Sequence, residues 1–221
     1  MRTLYQLTVA LCLSTIFLAC KKDDNPVVTA PLTATMVSSL PAAPSSTTVI
    51  STTATSSTST TGQQPVAPTG KFTLYSFKNN QIVANTDSAT NKWDVGFRST
   101  TIIINGGPIR SGQGGAYTYT GTFNDLTTVP TSATFAQDQS PTQLAIPTGA
   151  GNGWYNYNQT TNIISPIPGK IFVIRTGDGK YAKMEILSYY QGAPATPDAN
   201  SAARYYTFRY SYQSDGSMTL K

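Results

Sequence analysis

Between Arg204 and Gln213, the side chains Tyr206, Phe208, Tyr210 and Tyr212 occupy every second position without a break. Alternate residues share one face of an extended strand, whereas a helix would scatter them around its circumference. This run therefore requires a sheet to receive its aromatic face. No window of helical length elsewhere shows a 3.6-residue period. The predicted fold is all-β, a single antiparallel domain over residues 71–221.

The other strand candidates fall into place around turn residues. Phe72 to Phe77 is a β-rich run, and Asn79-Asn80 separates it from Gln81 to Ala84. Asparagine tolerates positive φ, so this pair predicts a tight hairpin. Trp93 to Arg98 alternates Trp93, Val95 and Phe97, which puts Trp93 in the core and turns Asp94 the other way. Thr100 to Ile104 follows, closed by Asn105-Gly106-Gly107-Pro108. The glycine-rich Gly112 to Gly115 stretch leads into a strand from Ala116 to Thr120. It enters a strand and lacks a following Lys-Ser/Thr, so a tight turn is expected rather than a phosphate cradle.

Phe123 to Leu126 suggests one helical turn, and a polar stretch without period runs from about Pro130 to Gly153. Trp154 to Asn158 is a short strand. Lys170 to Thr176 and Lys180 to Tyr190 form a hairpin around Gly177-Asp178-Gly179. A Gly/Pro/Ala/Asn loop spans 191–203, and Met218-Thr219-Leu220 is expected as a final strand.

The N-terminal part has a different character. Arg2 precedes an apolar run from Leu4 to Ala19, too short for a lasting membrane span and of the length of a secretory signal. The run ends in Phe17-Leu18-Ala19-Cys20, the pattern of a bacterial lipobox. Residues 1–19 are thus expected to be a lipoprotein signal peptide, with Cys20 acylated as the first residue of the mature chain. Lys21-Lys22-Asp23-Asp24-Asn25 resembles the short Lys/Asp-rich export signal of surface lipoproteins. From Asn25 to about Gly70 the chain is Thr, Ser, Pro, Ala and Val, with almost no charge. Residues 20–70 are expected to be a disordered stalk without secondary structure.

Residue types exclude much chemistry. Of the two cysteines, Cys12 leaves with the signal and Cys20 carries lipid, so the domain has no disulfide and no thiolate metal site. There is no histidine, which removes Ser-His-Asp and Cys-His catalysis and the commonest zinc and haem ligand. Glu185 is the one glutamate of the domain, and no carboxylate pair suggests a glycosidase, so no enzyme is expected. Twelve Lys and Arg stand against eight Asp and Glu in 71–221, without the basic aromatic clustering of a nucleic-acid groove.

The order of several segments resembles a known family. Lys78-Asn79-Asn80-Gln81-Ile82-Val83 comes first, then Trp93-Asp94-Val95-Gly96-Phe97-Arg98, Asn105-Gly106-Gly107 and Gly112-Gln113-Gly114-Gly115. Trp154-Tyr155-Asn156-Tyr157, Tyr181 to Leu187, and Arg204 to Tyr210 complete it. The whole domain resembles the HmuY family of haem-scavenging surface lipoproteins. The resemblance implies an all-β protein at the outer membrane, exposed on the cell surface. Such a protein captures haem or another porphyrin and delivers it to an outer-membrane receptor.

It also implies two axial side chains, His or Met, on loops. Residues 71–183 contain neither type. Met184 alternates with Ala182 and Ile186 and is expected as core. Tyrosinate is an alternative haem ligand, and the candidate ligand-binding residues are Tyr117, Tyr119, Trp154, Tyr155 and Tyr157. A second reading is a glycan- or protein-binding module in which exposed Trp154, Tyr155 and Tyr157 stack on sugar rings beside Asn156 and Asn158.

Overall fold

The computed structural model describes residues 32–42 and 70–221. The described residues all belong to one compact unit, Pro31–Lys221. The expected signal peptide, Cys20 and most of the expected stalk lie outside the described residues.

The described residues form eleven strands and one 3-10 turn, Asn85–Asp87. The strands are β1 (Thr35–Pro41), β2 (Thr73–Ser76), β3 (Gln81–Val83), β4 (Val95–Arg98), β5 (Thr101–Ile104) and β6 (Gly115–Thr120). They continue with β7 (Tyr155–Asn158), β8 (Ile163–Pro166), β9 (Lys170–Arg175), β10 (Tyr181–Tyr190) and β11 (Ala203–Gln213). A five-stranded sheet runs β1-β11-β10-β9-β6, a four-stranded sheet runs β3-β2-β4-β5, and β7 and β8 form a separate ribbon. Every pairing is antiparallel. The fold is all-β.

The two larger sheets pack face to face. The aromatic face of β11 (Tyr206, Phe208 and Tyr210) joins Phe172 and Ile174 of β9 and Met184 of β10. Tyr75, Val95, Phe97, Ile102 and Ile104 come from the smaller sheet into the same cluster. Phe97 stacks on Phe208 at 5.4 Å, and Tyr75 meets Phe208 edge-on at 5.5 Å. Such offset and edge contacts suit the ring quadrupole.

Both sheets are also covered on their outer faces. Ile171 and Val173 meet Phe123, Leu126, Val129 and Leu220 behind the larger sheet. Lys183 reaches into this layer, donating to the carbonyls of Phe123 at 2.7 Å and Leu126 at 2.8 Å. Behind the smaller sheet, Leu74, Val83, Trp93 and Ile103 form a third cluster. Gly96 lets it close, since a Cβ there would lie 2.8 Å from Ile103 Cγ1 and 3.0 Å from Leu74 Cδ2.

The structure corrects the sequence reading in four places. Thr35–Pro41, assigned to the stalk, is a strand on the edge of β11. Its register shifts between Val37 and Leu40, where Ser39 has φ 54°. The bulge lets Val37 and Leu40, three residues apart, both pack on the core, and this breaks the two-residue period. Secondly, Trp93 precedes β4 rather than belonging to it, and packs behind the sheet while Val95 and Phe97 face inward.

Thirdly, Ile163–Pro166 is a strand that its own Pro166, with Pro168 just beyond it, hid. Fourthly, Met218 to Leu220 makes only an isolated bridge, Thr128 to Thr219. The Asn79-Asn80 turn forms as expected, with Asn80 at φ 50°.

Candidate functional site

The end of the sandwich where β10 finishes and β11 begins carries a nest of aromatic rings. Trp154 is 2% exposed at its centre, with Tyr155 and Tyr206 each at 5.0 Å and Tyr189 at 5.5 Å. Its indole N–H donates to the carbonyl of Thr100 at 2.8 Å, and the Tyr206 hydroxyl donates to the carbonyl of Ser99 at 2.9 Å. Ser99 turns β4 into β5 with φ 49°, which presents both carbonyls to the rings. A buried Trp or Tyr needs such partners for its polar tip.

The β7–β8 ribbon lies over this nest. Tyr190 accepts the backbone amide of Ile164 at 2.9 Å, fixing β8 to the end of β10. At the ribbon's turn, Asn158 Oδ1 accepts the amides of Thr160 at 2.9 Å and Thr161 at 3.1 Å. Tyr157 is 42% exposed, and its hydroxyl donates to Asn162 Oδ1. The loop between β10 and β11 borders the same end and is pinned where Gly192 donates its amide to Ser39 Oγ at 2.9 Å.

The five sequence candidates separate into two groups. Trp154 and Tyr155 belong to the nest, and Tyr157 stands at its exposed rim. Tyr117 and Tyr119 lie on β6, half-buried on the outer face of the larger sheet with Phe123 and Phe135. The sheet itself stands between the groups, so the five do not line one site. Trp154, expected to be exposed for stacking on a sugar, is closed in by three tyrosines. Tyr189, Tyr190 and Ser99 complete the nest and were not singled out in the sequence. The Tyr189-Tyr190 pair at the end of a long strand was the available signal.

These groups constrain any haem site. Burial, and secondarily the neighbouring Tyr189, hold the Tyr206 phenol well above its ordinary value, and burial raises Tyr189 as well. Both remain neutral phenols. Met184 is fully buried in the core opposite Tyr210. Met36 and Met218 are exposed, Met36 opposite Arg209 on β1 and Met218 beyond the end of β11. A His or Met axial pair does not fit this end of the fold. Among the described residues no group of three His, Cys, Asp or Glu could hold a metal ion.

Two polar groups elsewhere are structural. Asn105, fully buried, donates to the carbonyls of Thr90 at 2.9 Å and Trp93 at 2.8 Å and accepts the amide of Gly112 at 3.0 Å. The glycine-rich stretch is therefore a tight turn. Asp138, also buried, accepts the amides of Ile104 at 3.2 Å and Ala145 at 2.9 Å, with Arg110 at 3.3 Å. It fastens the aperiodic 130–153 stretch to β5.

Two packed antiparallel sheets with an aromatic end define an all-β sandwich. The chain belongs to the HmuY family, whose model, described as HmuY protein, matches residues 69–210. No curated protein sequence matches it.

Among solved structures it is similar to a proposed lipoprotein of Bacteroides fragilis. The identity is 17%, over 64% of this chain and 83% of that one, with a TM-score of 0.41. It is also similar to a proposed HmuY-like haem-binding protein of Bacteroides vulgatus. There the identity is 13%, over 64% of this chain and 84% of that one, with a TM-score of 0.42.

Proposed function

We propose that this chain is an outer-membrane lipoprotein, acylated at Cys20 and exposed at the cell surface, that captures haem or another porphyrin for delivery to an outer-membrane transporter. Membership of the HmuY family over residues 69–210 is the observation that carries this reading. The Phe17-Leu18-Ala19-Cys20 sequence supports the anchor. Capture takes place at the Trp154 end, with the ring of the macrocycle packed against Tyr155 and Tyr157. Affinity comes from burial of the flat apolar surface, at about 25 cal/mol per Å². Iron coordination is by tyrosine or absent, since no histidine exists and Met184 is enclosed in the core.

Titration of the chain from Lys21 onward with ferric haem tests this. A saturable one-to-one Soret shift, weakened by Tyr155→Phe or Tyr157→Phe, is expected. A non-saturable change, of the kind any apolar protein surface gives, overturns it. One observation favours a second reading: the Tyr157 ring is exposed on β7, a surface suited to stacking on a sugar ring. Retardation on a polysaccharide gel without any Soret response would select that reading.

A further inference from the structure

The chain enters the sandwich at the end opposite the Trp154 nest. The amide of Leu32 donates to the carbonyl of Lys221 at 2.7 Å. From there β1 rises along β11, with Thr35 opposite Tyr210 and Pro41 opposite Tyr205. It finishes at Ala42, whose amide donates to Arg204 at 2.8 Å and whose carbonyl accepts Ser99 at 2.6 Å. Ser99 is the residue that holds the Tyr206 hydroxyl. The β1 strand thus spans the sheet from the end marked by Leu32 and Lys221 to the end marked by the nest.

We propose that β1 is a clamp that sets how the domain stands on a lipid surface, entry end towards the lipid and Trp154 end outward. The inference rests on acylation of Cys20, as read above. With β1 docked, twelve Cα–Cα steps separate Cys20 from Leu32, a typical coil span of about 20 Å, shorter than β11. A tether running undocked to Gly70 would have fifty steps and a typical coil span of about 40 Å. The docked form therefore keeps Leu32 and Lys221 close to the bilayer. The nest stands further out by the length of β11, roughly 35 Å for its eleven residues.

Several contacts secure the clamp. Val37 packs on the core, Leu40 is 5% exposed and Ala42 is fully buried. The Ser39 amide donates to Thr207 Oγ1 at 3.2 Å, and Thr73 Oγ1 donates to the carbonyl of Pro41. Tension on the tether pulls along β1, so it loads the β1–β11 hydrogen bonds together in shear.

The test uses the full lipidated protein in vesicles carrying an acceptor dye on their headgroups. A donor dye is placed on Ser214→Cys, in the turn after β11, or on Ala195→Cys, in the loop before it. Energy transfer several-fold stronger from position 214 than from 195 is expected. Release of β1 by Val37→Asp with Leu40→Asp should abolish the contrast. A twelve-residue Gly/Ser insertion after Lys22, which leaves the fold untouched, should weaken transfer at both positions.

Equal transfer from the two positions in the native chain overturns the clamp while leaving the lipid reading intact. A chain that fails to float with vesicles, or one that floats equally well as Cys20→Ala, overturns the lipid reading and the orientation together.

Discussion

The carboxylate of Asp94 accepts the amide of Gly177, 83 residues further along the chain, at 3.0 Å, and the amide of Phe77 at 2.7 Å. It thereby ties the turn after β2 to the turn after β9, joining the two sheets at their entry end. Burial raises its pKa from 3.8 to about 6, against the lowering effect of the two amides. The folded chain therefore binds this proton more tightly than the unfolded chain does. Its contribution is fully present below about pH 4 and is lost as pH rises through 6, by roughly 3 kcal/mol. Asp94→Asn should flatten the fall in denaturation free energy between pH 4 and 6. An unchanged slope would remove Asp94 as its source. Asp138, also raised by burial, should supply the slope that remains.

Trp154 and Tyr157 separate packing from binding at the aromatic end. Trp154→Ala removes a side chain that is 2% exposed and should cost about 3–5 kcal/mol in urea denaturation. Tyr157→Phe removes one exposed hydroxyl and should change stability by less than about 0.5 kcal/mol. A loss of haem response in Tyr157→Phe with stability intact would place that hydroxyl at the ligand. A large stability loss in this variant would contradict its rim position.

Lys183 is a buried cation serving two carbonyls, with its charge also 4.4 Å from the Phe123 ring centre. Lys183→Met keeps the stem but leaves the carbonyls of Phe123 and Leu126 without their donor. The expected cost is about 2–4 kcal/mol. Amide exchange should accelerate first around residues 123–129, the segment the ammonium holds.

Gly96→Ala places a methyl against Ile103 and Leu74, and the overpacking should cost about 1–3 kcal/mol. Shortening the neighbour in Gly96→Ala with Ile103→Val should recover part of the loss. Full additivity of the two changes would show that they do not meet.

A chain beginning at Gly70 lacks β1 and exposes the edge of β11 together with the core under Leu40 and Ala42. It should self-associate on gel filtration, as open strand edges do, whereas a chain beginning at Lys21 should elute as one compact species. Equal behaviour of the two would show β1 to be dispensable.

Much of the sandwich was legible because its chemistry is local. The β11 alternation, the Asn79-Asn80 turn and the Gly177-Asp178-Gly179 turn each state their geometry within a few residues. The β1 strand was not legible, because the bulge at Ser39 puts Val37 and Leu40 on one face at a spacing that matches no simple period. The site was less legible still. Trp154 reads as a possible surface platform until Thr100, Tyr189 and Tyr206, distant in sequence, close around it. Tyr117 and Tyr119 carry the same alternation as a binding strand, yet serve the layer behind the sheet.

The pairing of β1 with β11 also fixes an order of events for a chain made from its N-terminus. Among the described strands the first to be made has its partner in the last, since Thr35 lies opposite Tyr210. Until that final strand has been made, β1 has no edge to join, and the five-stranded sheet cannot close. The five-stranded sheet thus closes only after nearly the whole polypeptide has been made, a long-range pairing of the kind that slows folding.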